Sequence, residues 1–377
     1  MKRIIKIGMD VHSTNYTLCA LESRFGERDH VLAEVQVAPE YKQIILFING
    51  IKSKCGLEND YDIECGYEAG CLGYSLYNQL TASGINCVIL APSTMLSQQG
   101  KRVKTDRRDA VLIAQCLSCG TYHAVYIPDE EDDSIKEFLR MRDDHVSALK
   151  KIKQQISALC LRHGELYDGA KWTRAHLRWI RSLKLSPMYQ ETLDEYMATY
   201  DSLSSKIERL DLRIEELSEQ ERYQENVKKL SCLLGIKTHT AMSLLVETGD
   251  FQRFSKGNTY AAYLGLAPGE SSSGEHIHRT GVSKAGNSHL RSLLVEASQT
   301  ICKGKIGYKS KALRARQAGC PAEVIAYADR ANERLRRRYY HMIGKGKKHN
   351  VAITAVAREL ACFVWGMVTN NIYPKAA

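Results

Sequence analysis

The sequence predicts an α/β N-terminal domain, a central helical coiled-coil segment and a mostly α-helical C-terminal domain. Strand-like and helix-like patterns alternate over roughly the first 125 residues. Apolar residues then recur in steps of three and four from Leu193 to Leu217. The last quarter of the chain consists of helical patterns rich in basic residues. We therefore expect domains at residues 1–127, 128–224 and 225–377.

Composition and charge exclude several classes of protein. The 377 residues are 44% hydrophobic and 25% charged, which is ordinary for a globular protein and excludes collagen and bulk disorder. The net charge of +10 is uneven, because residues 279–348 hold 17 Lys or Arg against four acids, or +13. The remainder of the chain carries 10 − 13 = −3. This concentration favours a polyanionic partner, the alternative being a set of solvated helix faces.

Neither a secretory signal nor a membrane span is expected. The apolar run near the N-terminus is broken early by Lys6. Residues 351–368 are apolar but include Arg358 and Glu359, so a buried or amphipathic helix is expected there. The 12 cysteines are scattered, and their single CxxC motif has no further ligands at zinc-site spacing. We therefore expect a cytoplasmic protein with reduced cysteines.

Period-two patterns define the N-terminal domain. Residues 3–22 form two strands around the turn signal His12-Ser13-Thr14-Asn15, so a hairpin is expected to open the sheet. From Tyr61 to Glu68, residues with apolar side chains alternate with acids and a glycine, which predicts a further strand. The other predicted elements are a strand at 31–37, a helix at 41–51, a helix at 72–80, a strand at 85–90 and a helix at 110–117.

Two long helices are predicted next. The first starts after the acidic segment 128–133 and runs to about His163. The second carries the three-and-four seam, which packs either within the chain or, as we expect, as a coiled coil with a partner chain. The later predicted elements are two short helices within 230–248, a helix at 257–268, a Ser/Gly-rich loop at 269–274, a helix at 287–301 and basic helices to the end.

Four acidic residues stand where a metal site is expected. Asp10 ends the first strand, and Glu68 ends a later strand just before a glycine turn. Asp106 and Asp109 lie three apart at a helix start, so they share one helix face. Carboxylates in this arrangement can hold two Mg²⁺ ions about 4 Å apart, as phosphodiester chemistry requires. Taken singly, each acid has an ordinary alternative as a helix cap, a turn cap or a partner for lysine.

Three segments resemble the signature of the DEDD-type transposases, insertion-sequence recombinases related to the Piv invertases. These segments are Gly8-Met9-Asp10, Tyr67-Glu68-Ala69-Gly70 and Lys104-Thr105-Asp106-Arg107-Arg108-Asp109-Ala110. The resemblance implies a RuvC-like, RNase H-like N-terminal domain whose catalytic acids bind Mg²⁺. It places those acids at Asp10, Glu68, Asp106 and Asp109. Glu64 competes with Glu68, which we prefer because family members place the acid directly before an Ala-Thr-Gly or Ala-Gly turn.

The resemblance continues in the C-terminal part. The matching segments are Tyr263-Leu264-Gly265-Leu266-Ala267-Pro268, Ser271-Ser272-Ser273-Gly274 and Ser283-Lys284-Ala285-Gly286-Asn287. It implies a serine nucleophile that forms a covalent phosphoserine link with DNA, and the register places it at Ser273, with Ser272 and then Ser271 as alternatives. A serine hydroxyl needs a base or a metal to activate it. By composition alone, these serines would simply form a flexible polar loop.

The resemblance also implies partners. These are donor and target DNA, a guide RNA encoded by the element, and further copies of the chain in a homodimer or tetramer. The residues expected to contact nucleic acid are Lys104, Arg107, Arg108, Arg279, Lys284 and Arg291. One segment, Leu234-Gly235-Ile236-Lys237-Thr238, has lost a glycine of the family's Pro-Gly-Ile-Gly-like hairpin. That loss weakens the expectation of backbone contact with phosphate at this turn.

The predicted function is therefore a Mg²⁺-dependent transposase that acts as a site-specific DNA recombinase. The main alternative is a hydrolytic nuclease resembling Holliday-junction resolvases, which would use the same acids with water in place of serine. A non-catalytic nucleic-acid scaffold is disfavoured, since all four acids are present.

Overall fold

The computed structural model describes residues 3–23, 29–56, 60–70, 72–95, 105–270 and 279–372. Residues 1–127 and 128–377 form two compact units. The helices of segment 128–224 lie in the same unit as the C-terminal helices, with which they share a core. A further division at residue 224 remains a prediction.

The first unit is built on a mixed five-stranded sheet. Its elements are β1 (Arg3–Val11), β2 (Tyr16–Ser23), β3 (His30–Val37), α1 (Tyr41–Cys55), β4 (Tyr61–Glu68), α2 (Ser75–Ala82), β5 (Asn86–Leu90) and α3 (Asp106–Cys119). The strand order is β3-β2-β1-β4-β5. Strands β1, β2 and β3 pair antiparallel, whereas β1–β4 and β4–β5 are parallel. The predicted α/β domain is thus confirmed, and its sheet is consistent with an RNase H-like fold.

The alternation of side chains along β1 explains how helices cover both faces of the sheet. Ile5, Ile7 and Met9 are fully buried in the core that includes residues of α1 and α2. On the opposite face, Gly8 lies against α3 so closely that a Cβ atom there would stand 2.0 Å from the carbonyl oxygen of Ala110. Because Gly8 has no side chain, α3 packs closely against β1 at this point. Asp10 is the next residue of β1 on the same face.

The second unit consists mainly of helices. Its elements are α4 (Glu130–Arg162), α5 (Arg174–Ser182), α6 (Pro187–Ser218), α7 (Glu221–Ser231), α8 (Thr238–Thr248), α9 (Gly257–Tyr263), β6 (Pro268–Glu270), β7 (Arg279–Val282), α10 (Ser288–Cys302), α11 (Lys311–Gln317), α12 (Ala322–Gly344) and α13 (His349–Val368). Helix α13 has the length and apolar composition of a membrane span, yet Val356, Leu360 and Val364 are fully buried in the core of this unit. It is a core helix, as the charged residues within it predict.

The apolar seam of α6 packs against α4 of the same chain. Leu193 and Tyr200 lie in one buried cluster with Ile156 and Leu159 of α4. The helical hairpin within one chain therefore accounts for the burial of the seam, and a coiled coil with a partner chain is not needed to explain it.

The segment 257–270 differs from its prediction. The helix ends at Tyr263 instead of reaching Pro268, because Gly265 adopts a positive φ of 68°. Strand β6 then pairs antiparallel with β7, an element that the Ser/Gly-rich composition had hidden. Residues 269 and 270 of the predicted loop thus belong to β6, and residues 271–274 lie outside the described residues.

Candidate active site

A cluster of acids and one histidine lies at the carboxyl end of β1. Asp10 lies on the α3 face of the sheet, two residues beyond Gly8, and the first turn of α3 supplies Asp106 and Asp109. Ligand atoms of Asp10, His12 and Asp106 all lie within 4.8 Å of one another. We call Asp10, His12, Asp106 and Asp109 the sheet-end cluster. The structure therefore brings two of the four predicted acids, Asp10 and Asp106, to within 4.8 Å of each other, and Asp109 lies near enough to act on the charge of Asp10.

The electrostatics of Asp10 match a site that attracts a cation. Burial raises the pKa of its carboxyl, and the charges of Asp106 and Asp109 raise it further, whereas His12 opposes the shift. The imidazole Nε2 of His12 lies 3.3 Å from Oδ2 of Asp10. A bound cation would relieve the repulsion among these carboxylates, as lysine or arginine does in a structural ion pair.

The donor set fits a divalent metal ion. Carboxylate oxygens and an imidazole nitrogen are protein ligands for divalent cations. Beside Asp10 in the register of β1 and β2 lies Thr17, which is 2% exposed. Its Oγ1 has no hydrogen-bond partner among the residues that the structure describes. Thr17 thus offers an unused polar atom on the same face of the sheet as Asp10.

Strand β4 carries the fourth predicted acid and its competitor. Gly66 is level with Gly8, and Glu68 follows two residues later on the α3 face, so it is level with Asp10. The Glu68 side chain is exposed. In contrast, Oε2 of Glu64 lies 2.8 Å from Nζ of Lys6, well back along the strand. Its position in the register favours Glu68 over Glu64 as the fourth acid. Glu68 does not, however, belong to the group of Asp10, His12 and Asp106, whose ligand atoms lie within 4.8 Å of one another.

The start of α3 also presents basic residues. Thr105 is the N-cap, and its hydroxyl accepts the backbone N–H of Arg108 at 3.4 Å. Arg107 and Arg108 are exposed beside the acids of the same turn. Lys104, the third cation predicted here, lies outside the described residues. The helix N-terminus also stabilises Asp106 and Asp109 in its first turn without any metal ion.

The C-terminal motif folds around the base of the β6–β7 hairpin. Gly286 has a φ of 97°, and a Cβ atom there would lie 1.9 Å from the carbonyl oxygen of Tyr263. The backbone N–H of Lys284 donates to the carbonyl oxygen of Gly265 at 3.1 Å. The predicted nucleophile Ser273 and its alternatives Ser272 and Ser271 lie outside the described residues. The two motif blocks are therefore bound to each other, and the serines lie in the chain between the two strands.

The predicted nucleic-acid contacts of this motif differ from one another. Lys284 is exposed and has a positive φ of 57°, which is unusual for a lysine. Arg291 instead donates a hydrogen bond from Nη1 to the carbonyl oxygen of Leu264 at 2.9 Å, so its side chain helps to hold the backbone that follows α9. For Arg279 the structure gives the backbone position, in β7, but not the side-chain surroundings.

Beneath the motif lies a network of charged and polar side chains around the buried Glu247, which the sequence did not predict. We define the buried network as Arg140, Asp143, Glu247, Asn287 and His289. The side chain of Glu247 is 1% exposed and accepts from Arg140 Nη2 at 2.8 Å and from Asn287 Nδ2 at 2.6 Å. His289 lies 2.5 Å from Glu247 through Nδ1 and 2.8 Å from Asp143 through Nε2.

Ionisation is strongly perturbed in the buried network. Burial opposes the charge on Glu247, but hydrogen bonds from His289, Arg140 and Asn287 prevail and lower its pKa to about 2. Burial likewise opposes protonation of His289, yet hydrogen bonds to Asp143 and Glu247 raise its pKa to about 9. Both ring nitrogens of the resulting imidazolium donate hydrogen bonds. Asn287 also caps α10 by accepting from the Leu290 N–H, which gives this motif residue a structural role.

Comparison with known proteins places the chain in a family. Residues 7–163 match an IS110-type DEDD transposase family model, and residues 227–313 match the transposase IS116/IS110/IS902 family. A Leptospira borgpetersenii transposase for insertion sequence element IS1533 is 32% identical over 366 residues, covering 92% of this chain and 99% of the relative.

Two further relatives agree. A Sinorhizobium fredii chain named as a transposase, y4qE, is 37% identical over 304 residues, covering 80% of this chain and 74% of the relative. A Coxiella burnetii transposase for element IS1111A is 27% identical over 246 residues, covering 63% and 66%. The two family matches contain the sheet-end cluster and the motif at the β6–β7 hairpin, and the chain belongs to the IS110/IS116/IS902 family of transposases.

Proposed function

We propose that this transposase cleaves and rejoins DNA at the sheet-end cluster with the help of divalent metal ions. The observation that carries this proposal is the meeting of Asp10 with the first-turn acids of α3. Asp10, Asp106 and Asp109 would hold the ions, and Glu68 would add a ligand from the neighbouring strand. Divalent ions bound this way activate a nucleophile and stabilise charge on a scissile phosphate. Mg²⁺ is the ion that carboxylate ligands favour in phosphoryl-transfer sites.

Ser273 is proposed as the nucleophile, with Ser272 and Ser271 as the alternatives. The support is the family-like register of the motif, whose flanking blocks bind each other at the base of the hairpin. As the bond from serine Oγ to phosphorus forms, the bond from phosphorus to the departing DNA oxygen breaks. The hydroxyl proton passes to a base, and the departing oxygen gains a proton. The phosphoserine ester keeps the energy needed for rejoining, which runs the step in reverse.

Nucleic acid is proposed to contact both units. Arg107 and Arg108 are exposed next to the acids, where DNA phosphates would lie. The +13 segment 279–348 would bind backbone of donor DNA, target DNA or an element-encoded guide RNA. Guidance by RNA and assembly into dimers or tetramers follow from the family resemblance. The α6 seam is already buried within the chain, so another surface would have to join the subunits.

The test uses a nicked DNA substrate carrying the element end. Wild-type protein should form an adduct that survives denaturation, and Ser273→Ala should not. Asp10→Ala and Asp106→Ala should also form none, whereas Glu40→Ala, which removes an exposed acid at the start of α1, should react normally. Adduct formation by each of the three single serine variants would overturn the serine role.

The second candidate is a hydrolytic nuclease that resembles junction resolvases. It is favoured by the fact that Asp10, His12 and Asp106, whose ligand atoms lie within 4.8 Å of one another, all belong to the first unit. This candidate predicts Mg²⁺-dependent cleavage with free DNA ends and no adduct. A serine-linked intermediate in the same assay would exclude it.

A further inference from the structure

His12 was not among the residues that the sequence singled out, yet it belongs to the sheet-end cluster. It follows Asp10 by two residues, so the alternation of β1, carried into the turn, leaves both side chains on one side. The backbone N–H of His12 donates to the carbonyl oxygen of Asn15 at 2.9 Å, which fixes the start of the turn. The imidazole is 53% exposed, so a ligand can reach it.

The spacing of the ligand atoms suits coordination of a common ion. Two ligands about 2.1 Å from one metal ion and at right angles to each other are about 3 Å apart. His12 Nε2 and Asp10 Oδ2 are 3.3 Å apart, and Asp106 offers an oxygen within 4.8 Å of both. Thr17 is buried, its hydroxyl has no hydrogen-bond partner within the described part of the chain, and it lies beside Asp10 on the same face. The cluster is thus more than a group of acids.

We propose that His12 is a metal ligand, so that this mixed nitrogen and oxygen site binds a transition-metal ion such as Mn²⁺ more tightly relative to Mg²⁺ than an all-oxygen site would. The proposal rests on the proposed function, because it presupposes a divalent cation at Asp10 and Asp106. Mg²⁺ favours hard oxygen ligands and retains its waters, whereas first-row transition-metal ions accept imidazole more readily. The histidine would therefore set the identity of the metal without adding a negative charge.

The experiment measures metal binding directly, without DNA. Mn²⁺ is added to purified full-length protein, and pulsed electron paramagnetic resonance detects nitrogen nuclei coupled to the bound ion. Wild type should show a nitrogen coupling, and His12→Ala should bind Mn²⁺ about tenfold more weakly and lose the coupling. His30→Ala is the matched control, since His30 is an exposed histidine of the same sheet on β3. It should behave as wild type.

A second variant tests the preference for the ion. His12→Asp replaces nitrogen by oxygen, so Mg²⁺ should displace Mn²⁺ at lower concentration than from the wild type. If Mn²⁺ binds wild type and is lost in Asp10→Asn, but shows no nitrogen coupling, the role of His12 is wrong while the metal site stands. If wild type binds no Mn²⁺, both the inference and the proposed metal chemistry are overturned.

Discussion

The sheet-end cluster and the buried network use similar residues in opposite ways. In the buried network, Glu247 has three hydrogen-bond donors, and its pKa is lowered to about 2. In the sheet-end cluster, burial and two neighbouring acids raise the pKa of Asp10, whose hydrogen-bond partner among the described residues is the half-exposed His12. The carboxylate of Glu247 is thus satisfied by the protein, whereas that of Asp10 has charge to offer to a ligand.

This difference separates a structural role from a functional one. Removing a partner from a satisfied network leaves buried charges uncompensated, so such residues hold the fold together. Removing the charge of Asp10 from a group of like charges relieves repulsion, so this carboxylate is not expected to contribute to folding stability. The test of the distinction is therefore to measure stability and activity in the same variants.

The largest effect is expected for Asp10→Asn. Loss of metal-assisted stabilisation is worth several kcal/mol, or about 10³-fold in the rate of DNA cleavage. Because the change removes repulsion with Asp106 and Asp109, the free energy of unfolding should stay equal or rise by less than about 1 kcal/mol. Single-turnover cleavage and urea unfolding measure the two quantities. A large loss of stability would place Asp10 with the structural carboxylates.

Glu247→Ala should have the opposite profile. It removes the shared acceptor of Asn287 and His289, whereas the partly exposed Arg140 can return to water, so the free energy of unfolding should fall by about 2–3 kcal/mol. Mn²⁺ binding at the sheet-end cluster should not change, because the acids that bind it lie in the other unit. Urea unfolding followed by circular dichroism is the measurement. Unchanged stability would mean that the network is dispensable for the fold.

The pH dependence of stability should identify the same network. The pKa of His289 is raised to about 9, so its contribution is complete below about pH 6.5 and is lost as pH rises through about 9. The loss is on the order of 3 kcal/mol. Glu247 acts in the opposite sense, because its lowered pKa makes its contribution disappear only as pH falls toward about 2.

His289→Gln isolates the first of these effects. The difference in unfolding free energy between wild type and this variant should shrink from about pH 6.5 to about pH 9.5. His30→Gln, at an exposed histidine, should show a constant difference. A constant difference for His289→Gln as well would show that the imidazole is neutral in the folded protein.

The sequence predicted the sheet, its two hairpin strands and the acids at strand ends because these follow from local patterns. Period-two alternation places Asp10 and Glu68 at the ends of parallel strands whatever the rest of the chain does. That these acids bind one metal centre together remains a prediction. His12 was missed because a lone histidine in a turn has no local signal, although its spacing of two from Asp10 was visible.

Long-range packing accounts for the other misses. The buried network joins residues of α4, α8 and α10, between 40 and 146 positions apart, and no periodicity reports such contacts. The α6 seam has the same sequence pattern whether its partner helix is in the same chain or another. The β6–β7 hairpin was hidden because its strands are three and four residues long.

Gly8→Ala tests the approach of α3 to β1. An added Cβ would lie 2.0 Å from the Ala110 oxygen and 2.3 Å from the Ala114 nitrogen, so the helix must move. We expect a loss of about 1–3 kcal/mol in stability together with weaker Mn²⁺ binding, because Asp106 moves with α3. Gly50→Ala is the control, since nothing lies within 4 Å of its Cβ position in α1. It should stabilise by about 0.5–1 kcal/mol.

The smallest effect distinguishes the two candidate acids of β4. Glu64→Gln weakens a partly buried pair with Lys6, so it should cost about 1 kcal/mol of stability or less and leave Mn²⁺ binding and DNA cleavage unchanged. Glu68→Gln should cost less stability, because the side chain is exposed, but it should lower Mn²⁺ affinity and cleavage. Both variants make the same change, from glutamate to glutamine, at positions four residues apart on one face of β4. If Glu64→Gln abolished cleavage while Glu68→Gln did not, the fourth acid of the site would be the one that now pairs with Lys6, and β4 would have to shift along β1 to deliver it.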